Sequence, residues 1–359
     1  MSSGELEHTL LPKTIALPVF ASDPLSSNAY ATQEALLVLA TAGAAGMALI
    51  FPISIAVATL LAIVVTSYRQ TVKAYPSGGG AYRVSHENLG KYAGLLAGSA
   101  LLFDYSLTVA VSITAGVEAI TSAAEGLADQ RVVIAFLFIG FVTVLNLRGV
   151  RESGTLFAIP TYGFVLSIYL MIGTGIARCL GGCPQAASAT NELEVEHALT
   201  FFLILKAFAA GTTALTGVEA IADGVPAFRY PQSRNAATTL GIMAGLSISM
   251  FLGISWLADR TNAVYTEHPP GQPSVLSQIA ETVFSGGPMF YVVQVMSASI
   301  LILAANTAFQ DFPRLASILA KDKYLPRQFM NRGDRLVFSN GVLILAGVAA
   351  FLIFIFDAE

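Results

Sequence analysis

Asp104, Thr108 and Ser112 stand four residues apart from one another in a long apolar stretch. On a helix that spacing puts all three on one face, so a carboxylate and two hydroxyls make a column of oxygen ligands. Thr108 and Ser112 alone would serve equally well as hydroxyls bonding across a helix pair. A second acid, Asp23, lies in Phe20-Ala-Ser-Asp-Pro-Leu-Ser-Ser-Asn-Ala-Tyr30, with apolar residues on both sides. Pro24 has no N–H and its ring crowds the preceding turn, so a helix should break over Asp23–Ser27. On a soluble surface the same residues would only cap a helix starting at Pro24. A third acid, Glu219, follows Gly211, Thr212, Thr213, Thr216 and Gly217, which weaken a helix at its centre.

The elements that must position these acids are membrane helices. Hydrophobic residues make up 55% and charged residues 12% of the 359, and the mean hydropathy is +0.68. A soluble domain carries about 25% charged residues. Apolar runs near spanning length recur at about 14–40, 46–66, 91–122, 132–147, 155–177, 198–224, 236–258, 288–310 and 337–356. These nine spans form one transmembrane domain over residues 1–359. Spans 1 to 5 (about 14–177) read as a first repeat. Spans 6 to 9 (about 198–356) read as an incomplete second one. The first fourteen residues lack a signal-peptide pattern, so span 1 should act as its own signal.

Charge sets the expected orientation. With the N-terminus inside, fifteen of the nineteen Lys and Arg fall in inner segments and three, Arg131, Arg178 and Arg260, in outer ones. Cys179 and Cys183 then lie outside, where either a disulfide or two free thiols is allowed. The loop Tyr75-Pro-Ser-Gly-Gly-Gly-Ala-Tyr82 reads as an inner turn or re-entrant connection. No Gly-Lys-Ser/Thr follows it, which argues against a phosphate loop. Pro313 should end span 8, and the basic stretch to Arg335 should lie as an amphipathic helix against anionic lipid.

Two broken helices about 190 residues apart point to an inverted-repeat transporter with its site where the breaks meet. Unwound carbonyls and the three carboxylates Asp23, Asp104 and Glu219, converging on one pocket, favour a cation there. Crowded carboxylates in a dry site cannot all stay charged, so one of them should exchange protons. Glu34, Glu118 and Lys206 lie nearer the outer ends of their spans. A vestibule ion pair would suit them, but snorkelling to the interface is the simpler expectation. No basic patch interleaved with aromatics suggests nucleic acid. No nucleophile–base pair, cofactor motif or resident metal site suggests an enzyme.

Several of these stretches resemble a known family. They are Phe20-Ala-Ser-Asp-Pro-Leu-Ser-Ser with Tyr30, the Tyr75–Tyr82 loop, Asp104, Thr216-Gly-Val-Glu219 and Asn306-Thr-Ala-Phe-Gln-Asp-Phe-Pro-Arg-Leu-Ala-Ser317. Together they look like the amino acid–polyamine–organocation superfamily, and within it most like the KimA branch of bacterial potassium–proton symporters. The resemblance implies an all-α integral membrane protein with a LeuT-like inverted-repeat fold. It implies that Asp23, Tyr30, Asp104, Thr108, Ser112, Thr216 and Glu219 line a potassium site, with Asp23, Asp104 and Glu219 as proton-coupling acids. The implied activity is proton-coupled potassium uptake across the cell membrane, with potassium, protons and the lipid bilayer as partners and a homodimer left open. A proton-coupled amino acid permease is the alternative. Permeases for amino acids usually carry glycine-rich backbone at the first break, whereas Asp23-Pro24 stands here. The family's later spans and any C-terminal regulatory domain are missing, so the chain reads as C-terminally truncated. A non-transporting membrane protein is therefore a third reading.

Overall fold

The computed structural model describes residues 10–76, 78, 80–148, 154–190, 193, 195–266, 272–330 and 338–357. Helices follow in the order α1 (Lys13–Ser26), α2 (Ala31–Ala40), α3 (Gly43–Met47), α4 (Ile50–Ala74), α5 (Gly80–Leu89), α6 (Lys91–Ala123) and α7 (Arg131–Leu147). Then come α8 (Gly154–Cys179), α9 (Phe201–Gly211), α10 (Glu219–Asp223), α11 (Gln232–Thr261), α12 (Val275–Phe284), α13 (Pro288–Lys321) and α14 (Ser339–Asp357). Among the described residues there is no strand, only a single parallel bridge between Leu11 and Phe228. Eight segments among them are long and apolar enough to cross a membrane. Span 1 is split into α1 and α2, each too short to cross alone. Leu137 and Phe141 on α7, and Phe351 and Phe354 on α14, stand exposed, as side chains facing lipid would. Cys179 and Cys183 are joined by a disulfide at the end of α8.

Two apolar cores organise the bundle. The first gathers α1, α2, α4, α8 and α11, with the start of α13 at Phe290–Leu301. The second gathers α6, α7, α14 and the later part of α13, from Ala305 to Leu319. Helix α13 does not stop at Pro313. It runs on to Lys321, and the segment after it contains a short 3-10 turn at Arg327–Met330. A proline inside a helix costs about 3 kcal/mol. Phe312, Leu315, Ala316, Leu319 and Ala320 are buried around it, and their packing offsets that cost. Residues 331–337 of the expected amphipathic stretch lie outside the described residues.

The first break also lies later than expected. Helix α1 continues through Asp23 and Pro24 to Ser26 and unwinds over Ser27–Tyr30. The polar residues after the proline set that limit, because they take over the carbonyls that the ending helix leaves free. Ser26 Oγ and Ser27 Oγ donate to the Asp23 carbonyl at 2.8 and 3.1 Å. Asn28 Nδ2 donates to the Pro24 and Leu25 carbonyls at 3.1 and 3.0 Å and reaches Ser247 Oγ of α11 at 3.1 Å. These carbonyls are therefore occupied rather than open to a cation. Replacing Asn28 by Leu should leave buried carbonyls unpaired and cost about 1–3 kcal/mol. The check is thermal unfolding in detergent, where an unchanged midpoint would rule out this role.

Candidate cation site at the two helix breaks

Span 6 unwinds where its sequence is weakest. Helix α9 ends at Gly211, a 3-10 turn covers Thr212–Leu215, and α10 starts at Glu219. Gly217 sits between them at φ +77°, in the left-handed region. A Cβ at Gly217 would lie 2.5 Å from Asp23 Oδ2, so the Asp23 carboxylate rests directly on the unwound backbone of span 6. Hydroxyls tie the two breaks together. Ser27 Oγ lies 2.7 Å from Thr216 Oγ1 and 3.1 Å from the Tyr30 hydroxyl, and Thr216 Oγ1 donates to the Thr213 carbonyl at 3.0 Å.

The other expected residues come from α6 and α10. Asp23, Tyr30, Thr108, Ser112 and Glu219 are buried, while Asp104 and Thr216 are partly so. Asp104 lies near enough to Asp23 and Glu219 for its charge to act on both. Asp23 Oδ1, Glu219 Oε1 and Ser112 Oγ are buried without a hydrogen-bond partner. Among the described residues, no Lys or Arg forms a salt bridge with Asp23, Asp104 or Glu219. The three carboxylates do not close into one coordination sphere. Among the described residues, no three of His, Cys, Asp or Glu stand close enough to share a metal ion. Such a site offers oxygen ligands from carboxylates and hydroxyls, suited to a cation of low charge or to protons.

A cavity of about 770 Å³ lies toward the end of the bundle that carries Lys13. Phe20, Tyr105, Asp223, Asp311, Arg314 and Asp322 are among its walls, and none of the seven expected site residues is. Asp223 stands one turn after Glu219, and a side chain at Gly80 would collide with its carboxylate. Gly78 and Gly80 thus both lie against Asp223 of span 6, and Gly80 opens α5. Ser27, Asp223 and Asp311 did not figure among the expected site residues, although the i+4 spacing from Glu219 and the motif at Asn306–Arg314 mark the last two. Glu118 departs from expectation. It does not snorkel but is buried, and it accepts from Gln33 Nε2 and the Tyr265 hydroxyl. Lys206, by contrast, is exposed.

Two broken helices meet at a buried, oxygen-lined contact in a bundle of membrane-length helices, an arrangement expected of inverted-repeat membrane proteins. The chain belongs to the amino acid permease family, whose model, described as "Amino acid permease", matches residues 15–358. It is 46% identical over 350 residues to the "Potassium transporter KimA" of Bacillus subtilis (strain 168), an alignment covering 97% of this chain and 57% of the relative. The chain therefore spans a little over half the length of that relative.

The contact between Asp23 and Gly217 gives a direct test. Gly217→Ala adds a methyl group against the carboxylate at a left-handed φ, which should cost about 1–3 kcal/mol of backbone strain. A folded, equally stable Gly217→Ala protein would show that the two breaks do not touch in this way.

Proposed function

We propose that the chain is the transmembrane part of a secondary transporter that carries potassium inward together with protons. The observation that carries this reading is the meeting of the two breaks, where Asp23 and Glu219 keep buried carboxylate oxygens unpartnered. Similarity to a potassium transporter over nearly all of this chain supports it. In this reading Asp23, Tyr30, Asp104, Thr108, Ser112, Thr216 and Glu219 line the potassium site, whose oxygen ligands replace the ion's hydration shell without all three carboxylates meeting one ion. One of Asp23, Asp104 and Glu219 carries the proton, since separated but interacting acids need not all be met by a single monovalent ion. The end of the bundle rich in Lys and Arg faces the cytoplasm, with the N-terminus, and the cavity of about 770 Å³ is then the inner vestibule. Spans 1 to 5 form a first repeat and spans 6 to 9 part of a second, inverted one, within a single domain.

The family description favours a second reading, a proton-coupled amino acid permease. The Asp23 carboxylate at the first break argues against it, because it would repel a substrate carboxylate. The two are separated in cells lacking potassium uptake systems, with the chain expressed in its natural reading frame. Growth at low potassium is expected. Asp104→Asn and Glu219→Gln should each weaken it by about 100-fold in apparent affinity, the scale of removing one partner of a buried ionic contact. Absence of growth from a well-expressed chain would overturn the potassium reading, and uptake of a labelled amino acid insensitive to potassium would establish the alternative. In proteoliposomes, rubidium uptake should follow an inward proton gradient and stop when a protonophore collapses it. Uptake that persists would remove the proton coupling.

A further inference from the structure

Glu118 lies near the end of the bundle opposite Lys13, in a polar cluster that shares Tyr30 with the seven residues above. Its carboxylate accepts from Gln33 Nε2 at 3.2 Å and from the Tyr265 hydroxyl at 3.0 Å. Gln33 is held in turn by the Val275 N–H, which donates to its Oε1 at 3.0 Å. Burial and the Glu118 charge hold the Tyr265 phenol above its ordinary pKa, so it remains a donor. No Lys or Arg among the described residues forms a salt bridge with Glu118.

Beside this carboxylate is a small cavity, just large enough for one water-sized body. Tyr30, Gln33, Glu118, Ser274, Gln294 and Ser297 are in its wall. Gln294 spends its amide N–H on Ser277 Oγ at 2.5 Å, which leaves Gln294 Oε1 buried and unpartnered. Ser297, one turn further along α13, also has a buried Oγ without a partner. Gln294 is 2% exposed and Ser297 1%, so these orphan oxygens are shielded from solvent in residues that line the cavity. The wall therefore has a surplus of acceptors and one carboxylate without a salt-bridge partner among the described residues. Tyr30 is shared with the central site, where its hydroxyl meets Ser27.

We propose that Glu118, Gln294 and Ser297 form a second site for a dehydrated monovalent cation, on the far side of Tyr30 from the central acids. A dehydrated potassium ion is close to a water molecule in size, so it fits the cavity, and a cation neutralises Glu118 where a water does not. The proposal rests on the potassium reading and deepens it: an ion would be held at two stations in series, with the Tyr30 ring between them.

The test is rubidium-86 binding to the purified protein in detergent, counted per chain. Two ions are expected for the parent. Glu118→Gln and Ser297→Ala should each remove one ion, and Asp104→Asn should remove the other. Ser297→Ala deletes only an unpartnered hydroxyl and carries the test where Glu118→Gln does not fold. One ion per chain, lost in Asp104→Asn and kept in Glu118→Gln and Ser297→Ala, would overturn the second site, leave the central one standing and assign the cavity to water. One ion that responds only to Glu118 and Ser297 would support this site and overturn the central one. No bound rubidium would overturn both.

Discussion

The fold depends on one contact between two imperfect helices. The Asp23 carboxylate lies against the backbone at Gly217, and Ser27 meets Thr216 beside it. Each break exposes polar groups that a lone membrane helix could not satisfy, because lipid supplies no partners. Brought together, the breaks satisfy part of each other's need. What they leave unsatisfied, Asp23 Oδ1 and Glu219 Oε1, is what can bind something else. Binding capacity and structural cost are therefore the same atoms.

The chain limits that cost with short side chains placed near the unwound turns. Ser26, Ser27 and Asn28 take the carbonyls of Asp23, Pro24 and Leu25, and Thr216 takes that of Thr213. Elsewhere in the bundle, hydroxyls bridge helices directly, as Thr32 and Ser255 do at 2.9 Å, or Ser22 and Thr307 at 3.2 Å. Those four carbonyls are thus taken, and the unpartnered oxygens named at the breaks belong to side chains. Side-chain ligands can be protonated or turned away, whereas carbonyl ligands cannot.

Much of this was legible in the sequence. Hydropathy located the crossing segments, and the Asp-Pro and Gly-Thr-Thr stretches located both weak points. The i, i+4, i+8 pattern of Asp104, Thr108 and Ser112 put three polar groups on one face of α6. Other features depend on neighbours far away in sequence. The exact turn that unwinds was set by Ser27 and Asn28 finding partners, not by Pro24 itself. Pro313 reads as a stop, but packing on both sides carries α13 through it. Glu118 reads as an end-of-span charge, and only the fold shows that Gln33, 85 residues earlier, and Tyr265, 147 residues later, enclose it. The number of carboxylates was readable, but not that they fail to close into one coordination sphere.

Helix α13 belongs to both cores, to the first through Phe290–Leu301 and to the second through Ala305–Leu319. A rod fixed in two blocks prevents them from sliding past each other by a helical repeat. It permits them to splay, as the covers of a book do about its spine. The spine is then the short stretch between Leu301 and Ala305, where α13 passes from one core to the other. Relative movement of the two cores would then be angular, with an amplitude that grows with distance from that stretch.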